Sequence, residues 1–337
     1  PGLTDKILNF MNSPLTRKKD LKAPLAEEPP RKLTPIDPFH AQKHKARSRQ
    51  PAFPFPRSVL SGPPSLFLSP SLGRLETDPR DRFSFSTSFS FVEENFSGAQ
   101  GPLVSLNWKG EVLRQHISFS TRLWRHLNIS LDTGYGVRNS DGVQLELNHP
   151  SAPGGTTFLS KRNLDPGLLD STLTLTLVHD MRSFIFRPFL HVKLPTGNKE
   201  SLLSSGGRDA GAGASLEWTQ NDWHLKSMFS ITSPEDLDIF APSQGSVATS
   251  GYITLSVGVG KTLNLFGGER VSMSLTGQQN PLRRLSSIDD LDKEIVTLAG
   301  LVEKDIRKGL TFQLEVFGGM TNASPKTGLL LGLRQQF

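Results

Sequence analysis

Residues 81–91 read DRFSFSTSFSF, with Phe83, Phe85, Phe89 and Phe91 on one parity and Ser84, Ser86, Ser88 and Ser90 on the other. Successive side chains of an extended chain point to opposite faces, so this is a strand with one greasy face and one hydroxyl face. A soluble β-sandwich buries such a greasy face in a core. A membrane barrel turns it outward to lipid and keeps the hydroxyls inside. The rest of the chain decides between the two.

The same grammar recurs. STLTLTLVH (171–179) sets Leu173, Leu175 and Leu177 against Thr172, Thr174 and Thr176. ERVSMSLTGQ (269–278) sets Val271, Met273 and Leu275 against Ser272, Ser274 and Thr276, and GLTFQLEVFGG (309–319) alternates in the same way. Twelve segments are expected, near 82–91, 103–124, 127–137, 171–179, 183–194, 209–219, 222–232, 248–262, 268–278, 294–304, 308–318 and 327–337. Most approach the roughly 9–11 residues of a tilted membrane strand. The second is too long, and Gly110 marks a bend or a hairpin within it.

The connectors alternate between long and short. Long ones are expected near 92–102, 138–170, 195–208, 233–247, 279–293 and 319–326, and short ones near 125–126, 180–182, 220–221, 263–267 and 305–307. A sandwich has no reason to gather its long loops at one end, whereas an outer-membrane barrel pairs tight periplasmic turns with longer external loops. An even strand count then leaves both termini periplasmic. Trp124, Trp218 and Trp223 sit beside short turns, where an aromatic girdle meets the headgroups. The chain ends TGLLLGLRQQF (327–337), a strand that runs to the last residue because the final strand of a barrel must pair with the first. Leu331, Leu333 and the terminal Phe337 resemble the signal read by the bacterial barrel-assembly machinery, although Gln335 stands where a further apolar residue is expected. The fold class expected is therefore all-β: a transmembrane antiparallel barrel of about twelve strands over 81–337.

Residues 1–80 differ in character. They are proline-rich, and residues 1–50 hold eleven Lys and Arg against five Asp and Glu, a local charge of +6 that equals the net charge of the whole chain. This segment is expected to be a periplasmic arm, extended or disordered apart from a short helix near 4–12 with Leu3, Ile7, Leu8 and Met11 on one face. Those four residues with Arg17, Lys18 and Lys19 are the candidate partner-binding set of the arm. Its cationic balance fits an anionic periplasmic protein or cell-wall polymer reached through residues 1–60, while the barrel meets outer-membrane lipid and lipopolysaccharide. Nucleic acid is not an expected partner. Pro1 is not an initiator residue, so an upstream segment is expected.

Several stretches carry a family resemblance: GEVLRQHISFSTRLW (110–124), VKLPTGN (192–198) and SSGGRDAGAGASLEW (204–218). They resemble a family of uncharacterised bacterial outer-membrane β-barrel proteins related to transporters of phenol-degradation operons. The resemblance covers under a third of the barrel. It implies the barrel fold and an envelope location, and points towards transport without naming a substrate.

Signs of other chemistry are few. The chain has no cysteine, which excludes disulfides and thiolate sites. SVGVGKT (256–262) lacks the first glycine of a phosphate loop and reads as strand, and GAGASL (211–216) lacks the third glycine of a dinucleotide fingerprint. No cofactor, metal site or catalytic residue is assigned. His116 and Ser118 share a strand face as a base and a hydroxyl nucleophile would. Their parity turns them inward, unlike the lipid-facing pair of outer-membrane phospholipase, which makes a lipid hydrolase the third reading.

The candidate site is instead the lumen. Arg114, His116, Arg122, Asp132, Arg187, His191, Lys193, Glu217, Lys226, Glu315 and Arg334, with His224 and Glu303, all fall on the parity opposite to the greasy residues. Solvated, they would line a small or gated channel for polar solutes, with the arm as plug or tether. Paired, they would close the interior and leave a structural barrel that anchors an envelope complex through the arm. The connector at 138–170 is long enough to fold inward as a constriction.

Overall fold

The structure is a computed structural model. It describes residues 83–100, 104–147, 156–161, 165–181, 184–199, 201, 203–235, 249–263, 269–281, 294–321 and 324–337. The arm, with Leu3, Ile7, Leu8, Met11, Arg17, Lys18 and Lys19, lies outside the described residues.

Fifteen extended segments form one sheet: β1 (Phe83–Gln100), β2 (Val104–Trp124), β3 (Leu127–Leu147), β4 (Thr156–Lys161), β5 (Gly167–Leu168), β6 (Ser171–Leu177), β7 (His179–Met181), β8 (Phe184–Leu194), β9 (Asp209–Gln220), β10 (Trp223–Pro234), β11 (Tyr252–Leu263), β12 (Glu269–Gln278), β13 (Ile295–Arg307), β14 (Leu310–Gly319) and β15 (Thr327–Gln336). All pairings are antiparallel; most join consecutive segments, while β3 also pairs with β5 and β6, β6 pairs with β8, and β15 returns to β1, with Ser84 opposite Gln336 and Glu93 opposite Thr327. That pairing closes the sheet into a barrel. The segments β5, β6 and β7 are one wall strand interrupted by irregularities, since Leu169 N donates to Gly134 O and Val178 N to His126 O along β3. With β4 lying only against the far end of β3, the wall has twelve strands.

The polarity of the wall is inverted relative to a soluble sheet. Leu113, Ile231, Leu255, Val257, Met273, Leu275 and Val316 are exposed on the outside. The inward rows hold Ser86, Ser88, Ser90, Thr174, Thr176, Ser256, Ser272, Ser274 and Thr276, all buried. A continuous apolar exterior of this extent does not persist in water, and lipid is the solvent that accepts it. Closure leaves no open edge along the lipid-facing belt, which satisfies the requirement that backbone polar groups pair within the protein. No described helix is long and apolar enough to cross a membrane.

Hairpin turns of two residues join β2 to β3, β9 to β10 and β13 to β14. Asn221 and Gly309 take positive φ values of 54° and 75° there, as tight hairpins require. The opposite end carries the longer connections. Two expected features are corrected at that end. The connector expected at 92–102 is mostly strand: β1 runs to Gln100, and β2 is a single strand that continues through Gly110 without bend or hairpin. The bulge lies opposite it on β3, where Asp141 is the extra residue between Ser140, paired with Gly110, and Gly142, paired with Lys109. Likewise β3 continues to Leu147, so the expected 138–170 connector contains ten residues of strand followed by β4 and β5. Alternation failed as a guide here because Val92 faces inward where serines precede it.

Candidate functional site

Inward-facing ionisable groups gather in distinct clusters within the lumen. Next to the turn end, Glu303 on β13 accepts hydrogen bonds from Arg270 Nε on β12 at 3.0 Å and from Arg334 Nη2 on β15 at 3.1 Å. Gln313 Nε2 on β14 donates to Glu303 Oε1, the oxygen that also accepts Arg334. Arg270 also holds Asp305 at 2.8 Å, and Thr311 donates to Asp305 at 2.7 Å. One carboxylate thus ties two guanidiniums across four strands.

Also close to the turn end, Arg187 on β8 donates through Nη1 to Glu217 on β9 at 2.7 Å. Lys226 on β10 lies directly opposite Glu217. All three are buried. Further along the same inward row of β8, Phe189 and His191 stack with ring centroids 5.7 Å apart and lie across Gly213 and Gly211, where any Cβ would collide with them. His191 Nε2 meets Thr232 Oγ1 at 3.1 Å.

The loop end carries the most constructed feature. Asp170 sits at the bulge between β5 and β6, and its carboxylate accepts the backbone N–H of Gly197 at 3.0 Å and of Ser205 at 3.3 Å. Lys193 reaches Asp209 at 2.9 Å and Asp170 at 3.6 Å, and also donates to Ser205. Thr196 Oγ1 accepts Ser171 N–H at 2.9 Å, and Asn198 N donates to Leu168 O at 2.9 Å. These contacts fold the connector 195–208 back so that Ser201, Leu203, Ser204 and Ser205 are buried. Leu203 packs with Leu169 and with Val112 of β2, and its Cδ2 lies 3.1 Å from where a Cβ on Gly136 of β3 would sit. On β1 to β3, Glu94 accepts Arg138 at 2.7 Å, with Arg114 at 3.6 Å. Among the described residues, those of the 195–208 connector fold inward; of the expected 138–170 connector, residues 148–155 and 162–164 lie outside the described residues, and Asp170 at its end is the latch residue.

Each expected lumen residue can now be located. Arg114, Arg187, His191, Lys193, Glu217, Lys226, Glu315 and Arg334 are buried on inward parity, while His116, Arg122 and Asp132 are half-buried. Ser118 lies across from Ser86 of β1 and from Asp132 of β3. Trp124 and Trp223 project outward beside the two-residue turns, 73% and 51% exposed, and Trp218 is half-buried. Lys261 stands 5.0 Å over the Trp223 ring. Leu331 and Leu333 face outward, and Phe337 N–H donates to Phe83 O at 3.0 Å with the two rings 5.7 Å apart.

Sequence reasoning missed Glu94, Arg138, Asp170, Asp209 and Arg270. Parity with Val271 and Met273 already turned Arg270 inward. Glu94, Arg138 and Asp170 fell in stretches read as connectors. Among the described residues, no group of three His, Asp or Glu is arranged to hold a metal ion.

No protein-family model and no curated protein matches the chain by sequence. Among solved structures, the fold is similar to that of an outer membrane channel from Pseudomonas putida F1, with a TM-score of 0.54 and 15% identity over 80% of this chain and 100% of that one. The TodX monoaromatic hydrocarbon channel, in a deletion mutant, gives a TM-score of 0.48 with 12% identity, covering 85% of this chain and 100% of that one. The KdgM porin gives 0.43 with 10% identity, covering 75% and 99%. The likeness to the Pseudomonas channel is one of fold, that of an outer-membrane β-barrel.

Proposed function

We propose that the chain is a small, gated outer-membrane channel for polar solutes. The observation that carries this reading is the lumen itself: a closed barrel, apolar outside and lined inside by hydroxyls and charges, with the 195–208 segment tied across its loop end by Asp170 and Lys193. Hydroxyls and charges on the inner face are the lining that a polar solute needs. A segment held by a few hydrogen bonds, rather than by the wall's own ladder, is the part that can open.

In this reading the two-residue turns and both termini are periplasmic and the longer connections external. The chain is inserted by the barrel-assembly machinery through Leu331, Leu333 and Phe337. The trio of tryptophans marks the inner interface. The basic arm serves as plug or as tether to an anionic envelope partner, supported by its concentration of the chain's net charge. The sequence resemblance to transporters of phenol-degradation operons supports transport as the class and leaves the substrate open. Single-channel recording in planar bilayers, comparing the full chain with one starting at Pro70, tests both parts. Conductance from either supports the channel, and conductance only from the shorter chain makes the arm a plug.

One observation favours a second reading. Glu303 is 0% exposed and doubly paired, as befits a wall braced shut. A structural barrel would be silent in bilayers and would lose its envelope partner when residues 1–60 are removed.

A further inference from the structure

Arg187 is fully buried at 0% exposure, yet only one of its three nitrogens is used. Nη1 donates to Glu217, while Nε and Nη2 have no hydrogen-bond partner in the protein. A guanidinium N–H taken out of water without an acceptor carries its full desolvation penalty. Here two such donors sit on one side of the same planar group. The Nε–Nη2 edge is the side-on fork that meets a carboxylate or phosphate with two parallel hydrogen bonds. Glu217 does not occupy it.

The surroundings suit the same ligand. Ser215 lies directly across from Arg187 in the β8–β9 ladder, is 1% exposed, and its Oγ also has no partner. A hydroxyl in that position donates to an anion held by the fork. The acidic group nearest in register, Glu217, is already engaged by Arg187, and Lys226 stands across from it on the other side. Two cationic side chains thus flank one carboxylate. A purely structural pair would not need the vacant fork.

We propose that Arg187 and Ser215 form an anion-binding station inside the barrel, and that the solutes it serves are small oxyanions of the carboxylate or phosphate type. This rests on the channel reading for its biological purpose, although the site itself does not.

The test uses the full chain folded in detergent, with inorganic phosphate as the probe in isothermal titration, and heat-modifiable migration to confirm folding. Wild type should bind phosphate. Arg187→Gln should weaken binding about tenfold or more, the scale of losing a charge-assisted pair. Ser215→Asp, which places a competing carboxylate against the fork while Arg187 stays, should abolish it and keeps the proposal testable if Arg187→Gln does not fold. Reversal potentials in a KCl gradient complete the experiment, with an anion preference expected in wild type and lost in Arg187→Gln. Absence of phosphate binding by wild type, or binding and reversal potential unmoved by the variants, overturns the proposal. Phosphate binding lost in the variants from a protein silent in bilayers upholds the station and sinks the channel. Conduction without phosphate binding does the reverse.

Discussion

Replacing Asp170 by alanine tests the latch most sharply. Its carboxylate accepts two backbone N–H groups, Gly197 at 3.0 Å and Ser205 at 3.3 Å, with Lys193 at 3.6 Å. A hydrogen bond to a charged acceptor is worth about 1.5–3 kcal/mol. The Ser205 bond is long and Lys193 keeps Asp209 at 2.9 Å, so the lower end applies to each bond and the loop loses about 3 kcal/mol of closure. At about 1.4 kcal/mol per decade, the open population of the 195–208 segment should rise about 100-fold. Asparagine keeps one acceptor oxygen and should give about half that free energy, or roughly tenfold. Hydrogen–deuterium exchange at the Gly197 and Ser205 amides in detergent-folded protein reads the effect directly. Both amides should lose protection together while those of β13 and β14 keep theirs. Unchanged protection at Gly197 and Ser205 in Asp170→Ala would refute the latch. Faster exchange with no change in bilayer behaviour would show that the segment opens without gating anything.

Three further outcomes follow from the same geometry. Glu303→Gln leaves the buried Arg270 and Arg334 without their shared charge, so the barrel should lose on the order of 3–5 kcal/mol, read as a lower temperature of conversion from compact to extended migration on gels. Leu255→Arg puts a cation on the lipid face at a site 55% exposed, and should cost about 2–4 kcal/mol in reversible unfolding from vesicles if the residue lies near the midplane, with Leu255→Ala costing far less. Gly213→Val drives a branched side chain into Phe189, Ser230 and the Phe229 carbonyl, so folded yield should collapse, whereas Gly277→Val, where nothing lies within 4 Å, should be tolerated.

The wall was legible in the sequence because lipid demands a strict two-residue period, and serines and threonines opposite leucines and phenylalanines supply it in β1, β6, β12 and β14. Arg187, Glu217 and Arg334 were found by parity alone. Parity fails where the strand leaves the belt: beyond Glu93, β1 pairs with β2 but no longer with β15, and the alternation dissolves although the hydrogen-bond ladder continues. It fails again at the bulge that turns Leu169 inward and sets Asp170 beside the backbone of 195–208, because an aspartate between a leucine and a serine carries no periodic mark. Which cation meets which carboxylate depends on the stagger between strands, a property of the closed sheet that no local pattern encodes.

The central claim is that this barrel conducts, and single-channel recording on folded wild type beside Asp170→Ala tests it most directly. The account predicts small discrete steps in wild type and more frequent or longer openings once the latch is cut. A flat trace from both, with folding confirmed by heat-modifiable migration, would contradict it and leave a braced, non-conducting barrel.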